Sequence, residues 1–292
     1  MSKRFLVLGC TGLLGQALMK ELHHRSITAV GVARKNTDIK VDVTDEKALL
    51  STIDDFQPDV IINTVAIVDH SFCENKPRLT KNVNAKPSIF LSEYASLKNI
   101  KYVYISTDHY YTGDRDKKHS ELAPLTLSNQ YAVSKQLGEE FTLSNNNSLV
   151  IRTNIVGFRS IKDRPTFVEW AINELSNNSP MQLFDDFYTS SIDVDSFSKS
   201  LLDLIEKNAS GILNLASSQV SSKATFILAL ARRLSLATNN TKTVSMTKLD
   251  QIVDRNESLG LDVSKAEKIL GYSLPRLDQV IENLATEYLK NE

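Results

Sequence analysis

Short apolar runs alternate with amphipathic stretches through the first half of the chain. Residues 4–8 (RFLVL), 27–33 (ITAVGVA), 39–43 (IKVDV), 59–63 (DVIIN), 102–106 (YVYIS) and 149–151 (LVI) read as strands. Each is too short for helical periodicity and rich in β-branched or aromatic residues. A helical pattern follows the first run, Thr44-Asp45-Glu46 has the form of a helix start, and 86–98 and 127–144 read as helices. Strand alternating with helix predicts right-handed crossovers and a parallel sheet covered on both faces, an α/β doubly wound architecture. Beyond Arg152 the rhythm loosens. Helices are expected over 165–178, 194–207, 221–236, 263–270 and 277–290, and strands over 181–184 and 211–215. No linker, repeat or low-complexity segment interrupts this half. We therefore expect a nucleotide domain over 1–152, with later segments returning to it. A small cap over 153–292 would be woven onto that domain rather than tethered.

The first strand runs straight into Gly9, Gly12 and Gly15, and then into a helix. In a nucleotide-binding turn, the first glycine leaves the strand tightly. The second lets backbone approach a diphosphate, and the third lets the helix pack on the sheet. Free N–H groups and the dipole at that helix start attract phosphate. The spacing is G-x-x-G-x-x-G rather than G-x-G-x-x-G, so an ordinary strand-to-helix turn is the competing reading. Arg34-Lys35 closes the second strand with no acid beside it, which suits a 2′-phosphate better than a 2′-hydroxyl. The bland alternative is a solvated turn.

Composition removes several classes of function. The 292 residues carry a formal net charge of −1, which gives no reason to expect a nucleic-acid or anionic-membrane partner. Cys10 and Cys73 have no metal-ligand or redox-pair spacing, and the five histidines show no metal pattern, so we expect a reducing, cytoplasmic setting and no metal. No apolar stretch reaches membrane-span length, and the glycines interrupt the one run that could imitate a signal peptide.

Tyr131 and Lys135 form Tyr-x-x-x-Lys within an expected helix. Positions i and i+4 share a face, so the ammonium can stabilise the phenolate and ease proton transfer near neutral pH. Tyr94 and Lys98 repeat the spacing. Position decides between them: open parallel sheets do their chemistry beyond the carboxyl ends of strands, where Ser106-Thr107-Asp108 ends the fifth strand. Tyr131 follows that end, whereas Tyr94 precedes the strand and is read as helix packing.

GCTGLLG after the first strand, STD after the fifth and YAVSK after that resemble an extended short-chain dehydrogenase/reductase. The fuller resemblance is to the dTDP-4-dehydrorhamnose reductase family of nucleotide-sugar reductases. NTVA and Cys73-Glu74 resemble its fourth-strand segment, and Val83-Asn84-Ala85 its next helix start. SIDVDSFSKSLLDLIE, GILNLASS and LGLDVSKAEKILGYSLP resemble its cap and C-terminal segments. The resemblance implies a Rossmann-type fold and reduction of a sugar keto group, at C4 in the usual case, by NADPH, with NADH as the alternative. Thr107, Asp108, Tyr131 and Lys135 would form the catalytic set: Tyr131 gives the proton, Lys135 tunes it and holds the nicotinamide ribose, and Thr107 hydrogen-bonds the carbonyl. Cofactor contacts would come from Gly9, Thr11, Gly12, Leu13, Leu14, Gly15, Arg34, Asp42, Val43, Val65 and Ala66, together with Tyr131 and Lys135. The nucleotide sugar would meet Thr107, Asp108, Tyr131, Asn154 and Arg255. A homodimer is left open.

Departures from the family pattern leave the sugar and the carbonyl position undetermined. They are Val68, His70 and Ser71 for Thr, Val and Asp; Ala132 for Gly; His109 for an aromatic; Ser191 for Pro; and Asn256 after Arg255 in place of Pro. Among the smaller features, Asp42 either caps a turn or binds the adenine side. Arg152, Arg159 and Arg255 are surface charge or diphosphate ligands, with Arg255 favoured. Trp170 and Phe184 are read as core, and Glu139-Glu140 as an exposed helical face. Two further readings share the fold: a non-catalytic NADP-binding regulatory subunit, and a nucleotide-sugar epimerase or dehydratase.

Overall fold

The structure, a computed structural model, describes residues 3–161, 164–246 and 256–291. In chain order the elements begin with β1 (Phe5–Leu8), α1 (Leu13–His24), β2 (Ala29–Ala33), β3 (Ile39–Lys40), α2 (Glu46–Phe56) and β4 (Val60–Asn63). Next come α3 (His70–Asn75), α4 (Pro77–Asn84), α5 (Lys86–Lys98), β5 (Lys101–Ile105), α6 (Gln130–Leu143) and β6 (Leu149–Arg152). Then follow β7 (Ile155–Val156), α7 (Phe167–Ser176), β8 (Met181–Phe184), β9 (Tyr188–Thr189), β10 (Ile192–Asp193), α8 (Val194–Glu206) and β11 (Gly211–Asn214). The chain closes with β12 (Ser221–Ser222), α9 (Lys223–Arg233), β13 (Thr241–Val244), β14 (Ser258–Leu259), α10 (Ser264–Leu270) and α11 (Leu277–Asn291).

A seven-stranded sheet has the order β11-β6-β5-β4-β1-β2-β3. The pairs β1–β2, β1–β4, β2–β3, β4–β5 and β5–β6 are all parallel. From β1 the order runs outward in both directions, so a crevice opens where β1 and β4 end side by side. In a doubly wound sheet this is the ligand position. β1, β4 and β5 are buried along their whole length, as strands covered on both faces must be. Leu6, Leu8, Ile61, Tyr102 and Tyr104 join Leu49, Ile53 and Leu91 from the helices in one core.

Two compact units divide the chain. One comprises residues 1–107, 127–152 and 198–213, and the other residues 108–126, 153–197 and 214–292. The chain therefore crosses between them at five points, of which Arg152-Thr153 is one. The second unit has its own cores, one built from Val168, Ile172, Phe226, Leu230, Val280 and Leu284. It carries short pairings that periodicity did not reveal: β10 with β7, β9 between β12 and β14, and β13 with β8.

Local chemistry moves several boundaries. Asn129, extended at φ −150°, accepts from the Ala132 amide at 2.9 Å, so α6 starts at Gln130 and leaves Leu127 and Ser128 outside the helix. Ser221 and Ser222 pair with β9, and Ser222 then caps α9, where the sequence suggested helix from 221. β3 is two residues long; the Val41 amide still bonds the Ala33 carbonyl at 3.0 Å, and Asp42 and Val43 lie beyond the ladder. α3 and α4 were not anticipated, because each is too short for an apolar stripe to show; Asp69 caps α3, and Pro77 takes the first turn of α4.

Candidate active site

In the first unit, the glycine turn closes on itself. Gly9 sits at φ +84°, and a β-carbon there would lie 2.6 Å from Thr64 Oγ1 at the end of β4. At Gly15 a β-carbon would fall 2.1 Å from the Gly9 carbonyl oxygen. Both glycines are therefore required by the chain's own packing. Gly12 is different: its β-carbon would meet only the Gly9 oxygen, at 3.3 Å. Gly12 is also the N-cap of α1, which has no side-chain cap and no acid in its first turn. An anion could approach this backbone without displacing a protein group, which fits a cofactor diphosphate. Leu13 and Leu14 form the start of α1, Leu14 facing the core, and Thr11 offers its carbonyl to the Gln16 side chain at 3.0 Å.

The other cofactor candidates follow the ends of β2, β3 and β4. Val65 and Ala66 follow β4, and Val65 is held by a bond from its amide to Asn63 Oδ1 at 3.1 Å. Arg34 and Lys35 are exposed at the end of β2. Asp42 accepts from the Thr44 amide at 2.9 Å and its hydroxyl at 2.8 Å, so it caps its own turn. Partial burial works to raise its carboxyl pKa, but these bonds and the nearby Arg34 charge hold it below the usual range. The Val43 side chain is a buried core member.

At the end of β5, Ser106, Thr107 and the side chains of Tyr131 and Lys135 are all buried. Lys135 donates from Nζ to the Ile105 carbonyl at 2.7 Å and lies 4.1 Å from the centre of the Tyr104 ring. Loss of solvation pulls its ammonium down to about 7, and only the Glu139 charge works against that. Gly138 makes the approach possible, since a β-carbon there would strike the Tyr104 hydroxyl at 2.3 Å. The Tyr131 ring packs on His70 with centroids 5.0 Å apart, one of the positions that departs from the family pattern.

Sequence reasoning missed what holds this cluster in place. Glu139, expected on an exposed face, is only 3 % exposed, and so is Arg152; they pair at 2.7 Å. Ser106 Oγ donates to the same carboxylate at 2.6 Å. Arg152 is thus a structural cation, neither surface charge nor a free diphosphate ligand, and Glu140 alone faces solvent. Asn84 clamps the loop after β4: its amide bonds Ile67 N and O at 2.7 and 3.0 Å and Ser134 Oγ at 2.9 Å. The only sequence signal was the match of Val83-Asn84-Ala85 to a family segment.

The second unit carries its own polar set. Asn154 Nδ2 donates to Asp108 Oδ2 at 2.9 Å. Ser191 Oγ donates to Asn154 Oδ1 at 2.7 Å and contacts Thr189 Oγ1 at 2.9 Å. Ser191 therefore fixes which end of the Asn154 amide faces Asp108, a task the family's proline could not perform. The Arg159 guanidinium donates to the Arg164 carbonyl. Trp170, read as core, is 40 % exposed and leans on Phe167. Phe184 is half-buried. Arg255 lies outside the described residues. Among the described residues, no helix is long and apolar enough to cross a membrane.

The model of the RmlD substrate binding domain matches residues 3–290. The chain belongs to that family. It is 25 % identical over 291 residues to the probable low-salt glycan biosynthesis reductase Agl14 of Haloferax volcanii, covering 97 % of each chain. A dTDP-4-dehydrorhamnose reductase from Bacillus anthracis, solved in complex with NADP, superposes with a TM-score of 0.88 at 22 % identity, over 98 % of this chain and all of that one. At that identity the likeness is one of fold, and it agrees with the expected Rossmann architecture. Methionine adenosyltransferase 2 subunit beta of Pongo abelii is 34 % identical over 148 residues, half of this chain and 44 % of its own.

Proposed function

We propose that the protein is an NAD(P)H-dependent reductase of a keto group, at C4 in the usual case, on a nucleotide-activated deoxysugar. The observation that carries this reading is Lys135: a buried ammonium, one helical turn after Tyr131, bonded at the end of β5 in a family of nucleotide-sugar reductase fold. When bound, NADPH supplies the hydride. Tyr131 gives its hydroxyl proton to the developing alkoxide, and the Lys135 charge lowers the cost of the phenolate left behind. Thr107 donates to the carbonyl oxygen, while Ser106, Glu139 and Arg152 keep that end of β5 fixed. Arg34 favours the 2′-phosphate of NADPH over NADH. The test is oxidation of NADPH, with NADH in parallel, against a panel of 4-keto nucleotide sugars. Turnover of at least one member is expected.

The cofactor half of the reading has its own test at Gly12. Gly12→Val places a branched side chain where only one carbonyl oxygen stands near, so the fold is expected to survive while NADPH affinity is lost. Calorimetric titration with a melting curve checks this; unchanged affinity in a folded variant would refute the assignment. The match to a methionine adenosyltransferase subunit supports a second reading, a regulatory NADP-binding protein. NADPH binding without oxidation by any panel member would favour it.

A further inference from the structure

In the second unit, β7 and β10 run parallel with Ile155 opposite Ile192, and the Ile192 amide donates to the Asn154 carbonyl at 2.9 Å. That register sets Asn154 beside Ser191, each one residue before its strand. Thr189 lies in β9, paired with Ser221 on one side and Leu259 on the other. Thr189, Ser191 and Asp108 are buried, whereas Asn154 is half-buried.

The hydrogen bonds among these four residues run in one direction. Asn154 Oδ1 can only accept, so the single Ser191 proton goes to it, at 2.7 Å. Ser191 Oγ therefore accepts from Thr189 Oγ1 at 2.9 Å. Asn154 Nδ2 continues the series by donating to Asp108 Oδ2 at 2.9 Å. Turning the amide over would set two acceptors face to face at Asp108. Each donation polarises the next, which strengthens the Asn154 amide as a donor.

An amide group is planar. With its oxygen held by Ser191 and one hydrogen held by Asp108, the direction of its second hydrogen is fixed. That second N–H has no protein partner among the described residues, on a side chain that reaches solvent. Asp108 directly follows Thr107 in the chain, so the amide is tied to the residue beside the one proposed to meet the carbonyl.

We propose that Ser191 is a positioning residue for the sugar: acting through Asn154, it aims one N–H at a sugar oxygen, either a hydroxyl or a keto oxygen. The proposal rests on the nucleotide-sugar reading and narrows it. A group that can only donate, such as a sugar ammonium, is disfavoured at that oxygen's position. Proline, the family's residue at this position, would leave the Asn154 oxygen without its donor and the amide held at one end only.

The test uses the full chain with NADPH and either dTDP-4-keto-6-deoxyglucose or UDP-4-keto-6-deoxyglucose, because the base is open. Ser191→Ala is expected to raise the sugar KM about 3- to 10-fold, the scale of one neutral hydrogen bond, with kcat and NADPH affinity close to the parent's. Ser191→Thr keeps the hydroxyl and should restore KM. In an Asn154→Ala background, Ser191→Ala should add nothing further. Thr189→Val removes only the donor behind Ser191. It should raise KM less, and it serves if Ser191→Ala does not fold. Proton exchange of the Asn154 side-chain amide, followed by ¹⁵N NMR without substrate, should be faster in Ser191→Ala than in the parent. Unchanged KM, a fall in kcat alone, an added loss in the Asn154→Ala background, or unchanged exchange would each overturn the proposal. If the parent oxidises NADPH with neither sugar, the nucleotide-sugar reading fails and the sugar role fails with it, while the exchange measurement separately decides whether Ser191 holds Asn154.

Discussion

Tyr131→Phe is expected to lower turnover by roughly 10²–10⁴, the usual contribution of a positioned proton donor, while NADPH affinity changes little. The substitution keeps the ring that packs against His70 and removes only the hydroxyl. The helix start is untouched, because Asn129 caps α6 and the Gln130 amide is held by Glu74 at 2.6 Å. A melting curve close to the parent's is therefore expected, which separates lost chemistry from lost structure. Tyr94→Phe is the internal control. The Tyr94 hydroxyl bonds Asp54 on the surface, and its ring packs against the core beneath, so its loss should cost little activity. Single-turnover NADPH oxidation reads both variants. Parent-like turnover by Tyr131→Phe would remove Tyr131 from the mechanism.

Lys135→Met is expected to abolish most turnover and, at neutral pH, to raise stability. The chemistry loses the cation that eases phenolate formation. The fold loses a buried ammonium whose pKa stands near 7 against an ordinary 10.5. Between those values the unfolded chain holds more protons than the folded one, so parent stability rises with pH across that window. The cost of the charged lysine is present in full below about pH 7 and fades toward 10.5. The Met variant should therefore gain most at pH 7 and below, on the order of 1–4 kcal/mol, and the gain should shrink as pH rises. Loss of the Nζ bond to Ile105 and of the attraction to Glu139 reduces the gain without reversing it. Denaturant titrations of parent and variant at pH 6.5, 8 and 9.5 measure this. A Met variant less stable than the parent at every pH would show that Lys135 is held for stability.

Much of the candidate site was legible because its signals are local. Gly9, Gly12 and Gly15 occupy one turn, and Tyr131 and Lys135 lie on one helix face. What remained hidden depends on partners far apart in the chain. Glu139 looked like half of a solvent-facing acidic pair, since its helix neighbour Glu140 is exposed. Its true partner, Arg152, lies on the next strand, and together with Ser106 they bury charge that neither residue could bury alone. Asn84 gave no helix or strand signal of its role, because its bonds reach Ile67 and Ser134 in other elements.

By itself, the sequence determined the alternation of strands and helices, the parallel sheet and the place of the glycine turn. These follow from periodicity and from glycine's freedom at φ > 0, both of which act within a few residues. Tertiary structure decided which glycine is free to meet a ligand, since a β-carbon at Gly9 or Gly15 is excluded only by backbone and side chains brought in by folding. It also lowered the ammonium pKa of Lys135, through burial beside the Tyr104 ring and the end of β5. Desolvation and side-chain pairing depend on what surrounds a group in three dimensions, and no local pattern carries that information.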